Sequence, residues 1–132
     1  MRGAWLGLVG ALLSAVAAAQ PTVNDPTLTV ETVVDGLNEP VAMAFLAADD
    51  FLFLEKNTGR VRRVVGGVLQ AAPALDVAVN GENERGLLGI AVNSQSPPRV
   101  FLFYTEVADA DGDGAPDGGT PLGNRVYRYT WN

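Results

Sequence analysis

The sequence predicts an all-β fold built of short antiparallel strands. Apolar and β-branched runs of four to seven residues alternate with Gly, Asn and Asp turns. No segment after residue 20 sustains a period near 3.6; the longest candidate, 86–92, is too short and too rich in Gly to hold a helix. Composition agrees, with 48% apolar residues, 15 Gly and 8 Pro, as expected of a globular, turn-rich chain.

The elements follow in order. Residues 27–34 (TLTVETVV) are β-branched and partly alternating, which predicts a strand. Residues 41–46 (VAMAFL) form an apolar run between Pro40 and the Asp49-Asp50 turn. Residues 51–55 (FLFLE) form another, closed by Asn57-Thr58-Gly59. Residues 60–65 (RVRRVV) follow, then the Gly66-Gly67 turn, from which 68–70 return as a short edge strand. Residues 75–79 (LDVAV) alternate, 87–92 (LLGIAV) are apolar throughout, and 100–105 (VFLFYT) form a strong strand. Residues 125–131 (RVYRYTW) alternate, placing Val126 and Tyr127 on opposite faces. The apolar and aromatic strands recur roughly 46–50 residues apart, a propeller-blade spacing. Period-two aromatics such as Phe51, Phe53, Phe101, Phe103, Tyr127 and Tyr129 are expected to pack between blades. Arg60 and Arg62 share one face of their strand, with Arg63 opposite; in so acidic a chain a solvated face is expected there.

The N-terminus reads as an address. A basic start at Arg2 precedes an uncharged apolar stretch, 4–19, and Ala17-Ala18-Ala19 offers small residues before Gln20. This is the layout of a secretory signal peptide over 1–19, and the uncharged stretch is shorter than the ~20 residues that span a bilayer. The expected location is secreted or periplasmic, with no membrane span. Residues 20–35 are expected as an N-terminal segment and strand, and 36–132 as the repeat-bearing region.

Charge and missing residue types narrow the chemistry. Nine Lys and Arg against 15 Asp and Glu give −6, which argues against nucleic acid as a partner. There is no Cys and no His, so thiolate zinc sites, disulfides and the commonest general base are excluded. These residues alone leave carboxylates, hydroxyls, Lys56 or a bound cofactor to carry any catalysis.

The acidic segment 109–117 (DADGDGAPD) is the sharpest local motif. Asp109, Asp111, Asp113 and Asp117 stand at positions 1, 3, 5 and 9, and Gly114 at position 6 permits a sharp turn, a spacing suited to Ca2+. Position 12 is Thr120 rather than Glu and no flanking helices are seen, so a full EF-hand is excluded. The competing reading is a solvated turn, since Asp and Gly favour turns anyway. The connection 107–123 has 17 residues, longer than plain loops of ~12–15, which points to a role or to disorder.

Three stretches stand in a telling order: Gly36-Leu37-Asn38-Glu39-Pro40 continuing to Phe51-Leu52-Phe53-Leu54-Glu55 and Thr58-Gly59-Arg60-Val61; Glu84-Arg85-Gly86-Leu87-Leu88-Gly89-Ile90-Ala91; and Phe103-Tyr104-Thr105 with Asn124-Arg125-Val126-Tyr127-Arg128-Tyr129. Together they resemble one family, the soluble pyrroloquinoline-quinone-dependent glucose dehydrogenases and their glucose/sorbosone dehydrogenase relatives. The resemblance implies a six-bladed β-propeller, of which this chain would hold the first blade and most of the second. It implies oxidation of a sugar hydroxyl with pyrroloquinoline quinone as cofactor. Glu84 matches the family position, often Gln, that faces the sugar; the competing reading is a solvated loop acid beside Glu82 and Arg85.

The chain departs from the pattern after Ala91, where Asn93-Ser94-Gln95-Ser96 stands in place of His-Pro-Asp-Phe. The family's catalytic His and its main quinone and calcium residues lie beyond the second blade, so none carries over. The chain is therefore expected to be inactive alone. The alternative is a secreted calcium-binding propeller module that recognises protein or glycan without catalysis. A complete small β-sandwich is the third reading. It is disfavoured because the strong strand residues 127–131 would leave an apolar edge unprotected.

Overall fold

A computed structural model describes residues 21–132; the predicted leader over 1–19 lies outside the described residues. The chain divides into one unit ending at Glu31 and a second, Thr32–Asn132. In the first unit, Thr27 donates from its amide (2.9 Å) and its hydroxyl (2.7 Å) to the Asp25 carboxylate, and Leu28 N donates to Asp25 O at 3.1 Å. The strand predicted over 27–34 is not formed. The Asp25 turn captures its first residue, and a strand without a hydrogen-bonded partner gains nothing from β-branched side chains. Val34 is used differently, packing on Phe51, Phe53 and Val64 within the second unit.

The second unit contains two antiparallel sheets. The first holds β1 (Pro40–Ala47), β2 (Asp50–Glu55), β3 (Arg60–Val65) and β4 (Val68–Leu69) in that order, with β5 (Leu75–Asp76) also pairing β3. The second holds β6 (Leu87–Val92), β7 (Arg99–Glu106) and β8 (Gly123–Thr130) in that order. The run predicted over 75–79 pairs only at Leu75 and Asp76; Val79 makes a single bridge to Glu106.

Alternation dictates how the sheets meet. In β2, Leu52 and Leu54 point one way and Phe51 and Phe53 the other. Leu52, Leu54 and Val61 join Leu87, Val100, Leu102 and Tyr104 in one buried cluster spanning both sheets, and Tyr127, Tyr129 and Trp131 pack against it. Burying each such leucine contributes about 2 kcal/mol. Phe51, Phe53 and Val64 form a smaller cluster on the far face of the first sheet, covered by Val34, Leu37 and Leu69. The aromatics therefore split: Tyr127 and Tyr129 lie between the sheets, while the β2 phenylalanines face away. Val126 is exposed on the opposite face of β8 from Tyr127.

Of the arginines of β3, Arg60 is exposed as expected, but Arg62 and Arg63 are half-buried and paired. Arg62 Nη1 lies 3.3 Å from the Glu55 carboxylate, which is buried. Arg63 makes a two-pronged bond to Asp50 (2.8 and 2.6 Å), and its guanidinium sits 5.0 Å from the Trp131 ring centroid. For Arg62 and Arg63 the expectation failed because both acids lie on neighbouring β2, and register, not composition, set each on the diagonal, two residues along from the directly paired Phe53 and Leu52. The Arg63 guanidinium holds the Asp50 carboxyl below its ordinary range. Among the described residues no helix is long and apolar enough to cross a membrane.

Candidate functional site

Two loops at the junction of the sheets carry the predicted site residues. The first, 80–86, leads into β6 and bears Glu84. It begins at Asn80, which is buried and saturated: its amide N donates to Thr105 O (3.0 Å), its Nδ2 donates to Gly119 O (2.7 Å), and its Oδ1 accepts from Glu82 N (3.1 Å). Arg85 N donates to Glu82 O at 3.0 Å, closing a turn. Lys56 Nζ donates to Asn83 O at 2.5 Å, and Leu87 N donates to Lys56 O at 2.9 Å. Asn83 adopts φ 54° and Gly86 φ 129°. At Gly86 the backbone leaves no room for a side chain, since a Cβ there would sit 2.4 Å from Lys56 O. Glu84 is exposed at the tip. Among the described residues no donor pairs with its carboxylate, which leaves it free to accept hydrogen bonds from hydroxyl groups.

The second loop, 107–122, joins β7 to β8. Carboxylate oxygens of Asp109, Asp111 and Asp117 lie within 4.8 Å of one another, close enough to serve one cation. Asp113 is outside that trio, its Oδ1 accepting from Ala115 N at 2.7 Å. The loop also binds itself: Asp109 accepts from Gly112 N (2.8 Å) and Gly114 N (3.2 Å), and Asp117 accepts from Ala110 N. Gly114, at φ 81°, is buried against Asp76, where a Cβ would meet Asp76 Cβ at 2.9 Å. Asp109 also lines a cavity of about 240 Å3 with Asp76, Tyr104, Glu106 and Tyr129. Burial pushes the Tyr104 phenol well above its ordinary range. Tyr127 donates to Glu106 at 2.6 Å, a bond that raises its phenol as well.

Sequence reasoning found Glu84 and the four aspartates but not the groups that place them. Asn80 gave one signal, a lone amide at the end of an alternating apolar run. Lys56 stands out in the sequence as the one lysine, able to carry chemistry, but nothing there marks it as an anchor.

No family model matches the chain. It is 35% identical over 91 residues to an uncharacterized protein of Synechocystis sp., covering 62% of this chain and 22% of that protein. Two solved structures described as glucose dehydrogenase superpose on it. One does so with a TM-score of 0.53 and 26% identity, the other with 0.52 and 24%; each match covers 76% of this chain. The chain spans about a fifth of its curated relative and 33% and 35% of the two solved structures. The two open antiparallel sheets are thus similar in fold to part of a glucose dehydrogenase, as a partial β-propeller would be.

Proposed function

We propose that this chain is the N-terminal portion of a secreted sugar dehydrogenase that oxidises a sugar hydroxyl with pyrroloquinoline quinone. Its sheets form the first blade and most of the second blade of a six-bladed propeller. The observation that carries this reading is the superposition on glucose dehydrogenase structures over 76% of the chain. The Glu84 stretch, 84–91, adds sequence support. Glu84 forms one wall of the sugar site, accepting hydrogen bonds from sugar hydroxyls. The quinone is a tricarboxylate and calls for converging cations. Among the described residues, Arg60, Arg62, Arg63, Arg85 and Arg125 each face an acid of this same chain, whereas Lys56 donates to Asn83 O, Arg99 donates to Thr130 Oγ1 and Arg128 pairs with no acid. On this reading the quinone's binding falls to residues outside this chain, and the fragment alone is inactive.

The test reads the coding sequence beyond Asn132 and assays the secreted product with glucose, quinone and a dye acceptor. Continuation through further blades with a His ahead of a Gly-rich apolar strand, together with dye reduction, is the expected result. A frame that completes the blades without that His would falsify the dehydrogenase reading. Glu84→Ala is expected to raise KM about tenfold, the loss of one charge-assisted hydrogen bond.

The convergence of Asp109, Asp111 and Asp117 favours a second reading, a secreted calcium-binding propeller module for protein or glycan recognition without catalysis. Calorimetric titration with Ca2+ is expected to show heat that Asp111→Ala abolishes. An absence of heat removes calcium from either reading.

A further inference from the structure

The sequence contains one lysine, Lys56, and the structure gives it an unusual partner. Its ammonium donates to a neutral backbone carbonyl, Asn83 O at 2.5 Å, although Glu82 and Glu84 flank that carbonyl in sequence. The same residue accepts Leu87 N through its own carbonyl at 2.9 Å. Asn83 and Leu87 bracket Glu84, so both ends of the segment that presents Glu84 are tied to a single residue of the other sheet's turn. The side-chain stem completes the contact: a Cβ on Gly86 would sit 2.9 Å from Lys56 Cγ, so stem and glycine are in close packing. Asn83 holds a left-handed φ of 54°, a conformation sparsely populated without support from neighbours. A charge-assisted bond to its carbonyl supplies that support.

We propose that Lys56 is a positioning residue that fixes Glu84 in its sugar-facing pose by clamping the backbone at Asn83. This rests on the reading of Glu84 as a wall of the sugar site. The ammonium serves two purposes. It locks the loop, and it leaves the Glu84 carboxylate unpaired to receive sugar hydroxyls rather than neutralising it in an ion pair. Lys56 touches no substrate in this arrangement; it acts through the loop.

The test uses the full-length secreted protein with Lys56→Met and Lys56→Arg, read by hydrogen exchange and by glucose oxidation. In Lys56→Met, amides 83–86 are expected to exchange about tenfold faster while those of β2 and β7 are unchanged, the loss of one charge-assisted bond. KM for glucose is expected to rise about tenfold with kcat within about twofold, and Lys56→Arg to recover most of both. Unchanged exchange at 83–86 overturns the proposal whatever the activity. Faster exchange with an unchanged KM overturns it too, since the clamp would then not serve the sugar. A parent protein that oxidises no sugar defeats the dehydrogenase reading and the sugar role together, while the exchange comparison still decides whether Lys56 holds the loop.

Discussion

Loop 80–86 is held from outside, and loop 107–122 largely holds itself. The first has its ends bonded to Lys56, Thr105 and Gly119, so its shape depends on residues up to 39 positions away. The second turns its aspartates back onto its own amides at 112, 114, 113, 115 and 110. The difference teaches where each loop's chemistry comes from. A self-bonded acidic loop is a property of local sequence. A loop that presents one free carboxylate needs anchors that only the packing of two sheets supplies. Asn80 joins the two, bonding Glu82 N on one side and Gly119 O on the other.

The sharpest way to break the contrast is Gly86→Val. The positive φ and the 2.4 Å approach to Lys56 O leave no place for a side chain, so the expected cost is about 3 kcal/mol or more. Urea denaturation of the secreted protein measures it, and a variant as stable as the parent would refute the external clamp. Asn80→Ala comes next. It removes the partners of Gly119 O and Glu82 N, two bonds of a buried side chain, at a cost of about 1–2 kcal/mol. Exchange is expected to quicken in both loops, whereas an effect confined to one loop would show that Asn80 does not couple them.

A smaller effect is expected from Asp109→Ala, about 1 kcal/mol from losing the acceptor of Gly112 N and Gly114 N. Exchange should rise within 110–117 alone and leave 80–86 untouched. The smallest effect serves as a reference outside both loops. Asp50, held below its ordinary range by Arg63, contributes stability that is present above the unfolded carboxyl value of about 3.9 and lost as pH falls through its lower folded value. The pair is partly exposed, so Asp50→Asn is expected to cost under about 1 kcal/mol at pH 7 and progressively less as pH falls below the unfolded carboxyl value. Stability curves of parent and variant that stay parallel across acid pH would contradict this.

Most of the strand plan was legible because period-two burial leaves its mark on sequence. Phe51-Leu52-Phe53-Leu54 announces a strand buried on both faces, and Val126 and Tyr127 announce a strand with one free face. The failure at 27–34 is as instructive: β-branched residues state a preference, but a strand exists only where a partner completes its hydrogen bonds. The acids diagonal to Arg62 and Arg63 were invisible for a related reason. Glu55 and Asp50 lie in another strand, and register is not written within either strand alone.

Of the site, the residue types were readable and their supports were not. The acidic loop's spacing predicted convergence, and three of its four aspartates converge. By itself the sequence determined the all-β class, the strand boundaries to within a residue or two for most elements, the acidic turn and the Glu84 stretch, since each is fixed by near neighbours in the chain. Only the tertiary structure decided that a lone lysine and a buried asparagine hold that stretch in place. Their bonds join residues 27 and 39 positions apart, and such contacts arise from how two sheets pack rather than from any local pattern.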